Sequence, residues 1–93
     1  MPTIQYTDDE RELIKQSGSQ ILANIERWVR RQLTDDDKLF ISVALNNMHR
    51  GDENDREKLI AILNTQIIIF VYLEGPDHLI DSLRQRLDEI LDE

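Results

Sequence analysis

The chain contains no cysteine. That absence excludes disulfides, thiolate metal sites and a cysteine nucleophile together, and it suits a reducing compartment. Histidine is nearly as scarce: His49 and His78 are the only two in 93 residues. Neither belongs to a Glu-x-x-His pair, and neither has a second histidine four positions on, the spacings by which one helix face presents two metal ligands. His49 falls in the last turn of an expected helix, where an imidazole complements the dipole. His78 lies beside Asp77 and Asp81 at the start of another. The sequence also lacks a glycine-rich phosphate loop and a serine with a plausible His-Asp pair. Asp52-Glu53-Asn54-Asp55 is acidic like a calcium loop but lacks the glycine and distal glutamate that the loop geometry demands. Arg50-Gly51-Asp52 matches an integrin-recognition tripeptide and reads most simply as a helix stop. This inventory assigns no catalytic, metal-ligating or cofactor-binding residue, so the expectation is a protein that is not an enzyme and carries no cofactor.

Positive charge is also in short supply. Eleven Lys and Arg stand against nineteen Asp and Glu, a net charge of −8. The imbalance grows along the chain: acids and bases are equal over residues 8–33, while residues 59–93 hold seven acids and two bases. A field of this sign works against binding nucleic acid or anionic lipid through the bulk surface and leaves basic partners open. A membrane-length apolar run is missing too. The richest stretch, Leu59 to Tyr72, is interrupted by Asn64-Thr65-Gln66 and falls short of the roughly 18–20 apolar residues a bilayer span needs. Met1 to Glu12 is polar and acidic, without the basic and apolar regions of an export signal. The expectation is a soluble, cytoplasmic protein of one domain, residues 1–93. A chain of this size buries only about 60–65% of its unfolded surface, so its own core is thin.

What the sequence does contain is a set of marked helix starts. Thr7-Asp8-Asp9-Glu10, Thr34-Asp35-Asp36-Asp37 and Asn54-Asp55-Arg56-Glu57 each place an acid three positions after a capping residue. The Thr or Asn oxygen accepts from the orphan N–H groups that open a helix, and the acid bonds back at the positive end of the macrodipole. A fourth start follows Gly75-Pro76-Asp77. These signals predict an all-α protein, an antiparallel four-helix bundle with short connections and helices over about 8–33, 35–49, 55–74 and 77–91.

In the first helix Leu13, Ile14, Ile21, Leu22, Ile25, Trp28 and Val29 keep helical spacing, with Gly18 on the same stripe marking a close approach or a bend. The second is apolar around most of its circumference and ends at Gly51. In the third, Ile67 to Leu73 is apolar or aromatic without a break and rich in β-branched residues. A continuous helix is the expectation there; the alternative is a strand paired with the extended segment Pro2 to Thr7. The fourth places Ile80, Leu83, Leu87 and Ile90 on one stripe and ends on Asp88, Glu89, Asp92 and Glu93, the unfavourable sign for a C-terminus.

The functional expectation follows from the Ile67–Leu73 run. A helix apolar in every direction is hard to cover with three partners, and the cheapest cover is a second copy across a two-fold axis. Ile67, Ile69, Phe70, Tyr72 and Leu73 are the expected self-association residues of a homodimeric protein–protein interaction module, a regulator, adaptor or inhibitor. The competing possibility is a central helix wrapped by its neighbours. Trp28 with Arg27, Arg30 and Arg31 forms a second candidate partner surface, though these arginines have Asp35 to Asp37 close by in sequence. Asp88 and Glu89 form a third, against the plainer view of a solvated end. Two other classes stay open. One is a nucleic-acid mimic whose acidic face occupies a basic groove. The other is a nucleic-acid-binding dimer using Trp28, Arg27, Arg30 and Arg31.

Overall fold

The computed structural model describes residues 5–48 and 54–92. Among them every regular element is helical: α1 (Asp8–Lys15), α2 (Ser17–Trp28), α3 (Asp35–Asn46), α4 (Asp55–Tyr72) and α5 (Asp77–Leu91). The Ile67–Leu73 run is therefore helix up to Tyr72, and the strand alternative is excluded. The expected stop at Gly51, His49, the Arg50-Gly51-Asp52 tripeptide and the first half of the extended N-terminal segment, residues 2–4, lie outside the described residues.

Two of the three capping signals form the full reciprocal box, and at Asn54 only the bond to the side chain is made. Thr7 Oγ1 accepts from the Glu10 N–H (3.1 Å) while Glu10 Oε1 accepts from the Thr7 N–H (3.0 Å). Thr34 and Asp37 repeat the reciprocal pair at 3.1 and 2.9 Å. Asn54 Oδ1 accepts from the Glu57 N–H at 2.9 Å. Pro76 precedes α5 and brings no side-chain cap, as a residue without a polar side chain must.

The first expected helix is two helices, which makes five in place of four. Gln16 leaves the helical region (φ −129°, ψ 47°) between α1 and α2. Ser17-Gly18 follows at once, a pair that holds helical conformation weakly. A Cβ added at Gly18 would meet nothing within 4 Å. The glycine therefore goes with the bend, and no neighbouring helix requires it. α2 also stops at Trp28, not near Leu33, because Val29 is extended (φ −96°, ψ 113°). Residues 29–34 form a longer joint than the short connection expected.

The far end of α4 carries a mismatch between residue and backbone. The Gly75 N–H bonds Phe70 O (2.8 Å) and the Glu74 N–H bonds Val71 O (3.2 Å), the two bonds of a Schellman ending. That motif wants glycine at its left-handed position, but Glu74 occupies it, at φ 58°. The glycine sits one residue later, where an added Cβ would lie 3.0 Å from Phe70 Cδ1. Glu74→Gly is expected to raise unfolding free energy by about 1 kcal/mol, the left-handed penalty of a side-chain-bearing residue. Urea denaturation measures it, and an unchanged midpoint would show that the surroundings already relieve the strain.

α4 is the hub and packs against each of the other four helices. Ile21 and Ile25 from α2, Ile41 from α3, Ile80 from α5 and Leu13 from α1 meet Ile62, Ile69 and Phe70 of α4, and Leu73 just after it, in the main core. A smaller cluster of Leu59, Leu63 and Ile90 closes the other end of the α4–α5 pair. The molecule measures 45 × 29 × 19 Å, and 19 Å is about two helix diameters. In a two-layer body even the hub keeps one side bare. No helix among the described residues is long and apolar enough to cross a membrane.

Candidate interaction surfaces

The bare side of α4 is the first candidate site. With 3.6 residues per turn, the apolar run from Ile67 to Leu73 wraps the whole helix. Ile67, Ile69, Phe70 and Leu73 turn inward and are buried within a single chain. Four of the five expected self-association residues are thus core residues, and only Tyr72 remains on the surface. The physical reason is that α5, α1, α2 and α3 cover the inner arc, a cover that residue composition does not reveal.

The outward positions are Ile68, Val71 and Tyr72, which are 46, 50 and 44% exposed. On α3, Leu39 is 64% and Val43 50% exposed, and Val43 lines one groove with Ile68. The two helices are registered by an aromatic stack: the Phe40 and Tyr72 rings are 4.0 Å apart between centroids and 4° from parallel. Next to the stack runs a groove of about 320 Å³, lined by Phe40, Val43, Ala44, Asn47, Asn64, Thr65 and Ile68. No lining residue carries a charge. Five of the eight exposed large hydrophobics among the described residues belong to these two helices: Val43 and Ile68 share the groove, Tyr72 joins it through the stack, and Val71 lies toward α5 beside Asp77, Asp81 and Arg84.

The Trp28 corner is the second. Trp28 is partly exposed and its ring meets His78 edge-on, 5.7 Å between centroids. That contact gives His78 a packing role beyond its aspartate neighbours. The arginines around Trp28 do not act as one cluster. Arg31 reaches across the α2–α3 joint, its Nη1 donating to Asp37 Oδ2 at 2.7 Å, while Arg27 and Arg30 are exposed. One of the three arginines of the expected basic patch is therefore drawn toward an acid at the start of α3.

The pair at Asp37 has a pH consequence. The hydrogen bonds from Arg31 and from the Thr34 N–H hold the Asp37 carboxyl at about 2, against an ordinary 3.8. At Glu10, burial pushes the carboxyl up, but bonds from Arg86 and Thr7 outweigh it and leave the group below its ordinary 4.5. Both groups are lower in the folded chain than in the unfolded one. Their stabilisation is complete above the ordinary values and is lost as pH falls through the folded values. Thermal melting is expected to show an acid limb that opens below about pH 4.5 and extends toward pH 2. Asp37→Asn, which keeps a capping oxygen, is expected to make that limb shallower; an unchanged limb would remove the assignment.

The third candidate, the acidic end of α5, is partly engaged at home. Glu89 Oε2 accepts from Arg86 Nη1 at 3.0 Å, while Asp88 is exposed. The unfavourable charge at this helix end is answered from another helix. Arg56 at the start of α4 donates from Nη2 to Ile90 O at 3.1 Å, placing a cation on the last turn's carbonyls. Comparison with protein-family models, curated proteins and solved structures gives no match.

Proposed function

We propose that the protein is a protein–protein interaction module that acts as a homodimer, joined through the outer faces of α3 and α4. The observation that carries this reading is the uncharged, largely apolar groove of Phe40, Val43, Ala44 and Ile68 beside the Phe40–Tyr72 stack. On a chain of net charge −8, a basic partner gains most by meeting acidic surface. A neutral face offers such a partner nothing extra, yet it is where a second −8 chain can sit with least repulsion. The face also suits a two-fold axis. Asn47 and Asn64 line it, and each carboxamide both donates and accepts, so a copy can answer a copy. The aromatic stack supplies the rigid, low-entropy anchor on which interface energy concentrates.

The test is solution mass by light scattering. Wild-type protein is expected to weigh two chains and to dissociate on dilution. Ile68→Glu and Val43→Glu are each expected to give a folded monomer, because both positions already face water. A wild-type monomer at the highest soluble concentration would overturn the proposal, as would dimers that persist in both variants.

A further inference from the structure

Between α1 and the first turns of α4 lies a cleft of about 500 Å³, lined by Tyr6, Arg11, Ile14, Lys15, Asp55 and Lys58. None of these residues lines the α3–α4 groove of the proposed dimer. Helical spacing gathers them. Arg11, Ile14 and Lys15 stand at i, i+3 and i+4 on α1, and Asp55 and Lys58 at i and i+3 on α4. Tyr6 and Ile14 are half-buried and pack against Leu59, Leu63 and Ile90, so the apolar part of the lining is held in place.

The sign of the charge is what sets this cleft apart. Acids outnumber bases by nineteen to eleven in the chain, yet three bases meet one acid in this lining. Elsewhere Arg31 and Arg86 reach carboxylates at 2.7 Å. The bases of the cleft are not engaged in that way. Arg11 Nη1 stands 3.8 Å from Asp8 Oδ1, an exposed pair beyond hydrogen-bond length. The Lys15 and Lys58 side chains make no hydrogen bond or ion pair among the described residues. Three bases against Asp55 leave two positive charges unanswered in a concave, partly apolar setting.

We propose that this cleft binds a small phosphate monoester carrying a flat apolar group, with the phosphate among Arg11, Lys15 and Lys58 and the flat group against Tyr6 and Ile14. A phosphate monoester brings close to two negative charges at neutral pH and three strong acceptor oxygens. It therefore balances the cleft and offers its bases charge-assisted hydrogen bonds. A carboxylate supplies one charge and leaves the other unanswered. A polyanion such as nucleic acid would run past the cleft onto the surface of a −8 chain and be repelled there, so the ligand is small. The volume falls within the roughly 300–1,000 Å³ of small-molecule sites, and Tyr6 offers a ring on which a planar group can stack.

The probe is phenyl phosphate, titrated into isotope-labelled full-length protein and followed by NMR. Beside it stand inorganic phosphate, which lacks the ring, and benzoate, which has the ring and a single charge. Phenyl phosphate is expected to bind at low salt with a Kd of about 0.1–1 mM and to shift the Tyr6 and Lys58 resonances. Each of the other two is expected to bind at least about fivefold more weakly. Lys15→Gln and Lys58→Gln are each expected to weaken phenyl phosphate about fivefold. Arg84→Gln removes the same charge from an exposed position of α5 that does not line the cleft, and is expected to leave binding unchanged. Two separate lysines keep the test open should one variant fail to fold. No shift at Tyr6 or Lys58 would overturn the proposal, as would unchanged binding in the lysine variants. Equal weakening by Arg84→Gln would show that the anion answers net charge alone and would overturn it too. Equal binding of inorganic phosphate or benzoate would do the same.

Discussion

Replacing Arg86 by methionine is expected to lower the unfolding free energy by about 2–4 kcal/mol, although the position lies on the outer half of a surface helix. Arg86 carries the side-chain hydrogen bonds that tie α5 to the first turn of α1 and to the chain before it. Nε and Nη2 hold Glu10 Oε2 and Oε1 at 2.7 and 2.8 Å, and Nη2 also donates to Gln5 O at 2.8 Å. Nη1 reaches Glu89. The Glu10 side chain is only 9% exposed and that of Arg86 27%, so this is a bidentate, largely shielded pair and not a surface ion pair of little worth. The cost of losing it lies mostly in what stays behind. Glu10 is anchored by the Thr7 capping box and cannot swing out to water, so the variant buries a carboxylate without its counter-ion. The expected loss sits at the lower end of such cases because the guanidinium is partly wetted. Against a total of about 5–14 kcal/mol for a chain of this length, it is still a large share.

The explanation has a signature beyond the loss itself. If the penalty is the stranded charge, removing that charge must recover part of it. The double variant Glu10→Gln with Arg86→Met is expected to be more stable than Arg86→Met alone, because glutamine can still accept from the Thr7 N–H. The gap between wild type and Arg86→Met is also expected to narrow as pH falls below about 4.5, where Glu10 of the variant takes up a proton. Urea denaturation of the four-member cycle at two pH values measures both effects. A strictly additive cycle would show that Arg86 works through packing and that its charge is incidental.

Much of the frame was legible in the residues, because helix starts are local chemistry. Thr7, Thr34 and Asn54 each lie within three residues of the groups they satisfy, so a short window of sequence contains the whole interaction. α5 matches its expected span from Asp77 to Leu91 for the same reason: Gly75-Pro76 and one apolar stripe define it. The break at Gln16 was less visible, since Gly18 advertised either a bend or a close contact and only the surrounding space separates the two. The distant partners of Arg86 were invisible, as Glu10 lies 76 residues away. Gln66 gave a weak signal, an amide set in the most apolar stretch of the chain, but its partner Asn24 lies 42 residues away.

The sharpest consequence concerns two residues separated by one position in that stretch. From composition alone, Phe70 and Ile68 belong to the same sticky run, and a glutamate at Phe70 looks like a way to split a dimer. The structure separates them. Phe70 is 1% exposed, belongs to the main core and lies against Gly75 at the Schellman ending. Phe70→Ala is expected to cost about 3–5 kcal/mol through lost burial and the cavity left behind. Phe70→Glu adds the desolvation of a charge with no partner in reach and is expected to unfold the chain, with loss of helical circular dichroism at room temperature. Ile68→Glu places the same charge two residues earlier on the wetted side of the same helix, where helix content and melting of the monomer are expected to stay within about 0.5 kcal/mol of wild type. One substitution reports on the core and the other on the face between molecules. If Phe70→Glu instead gave a well-folded monomer, α4 would not be the hub, and the inward and outward arcs assigned to it would have to be exchanged.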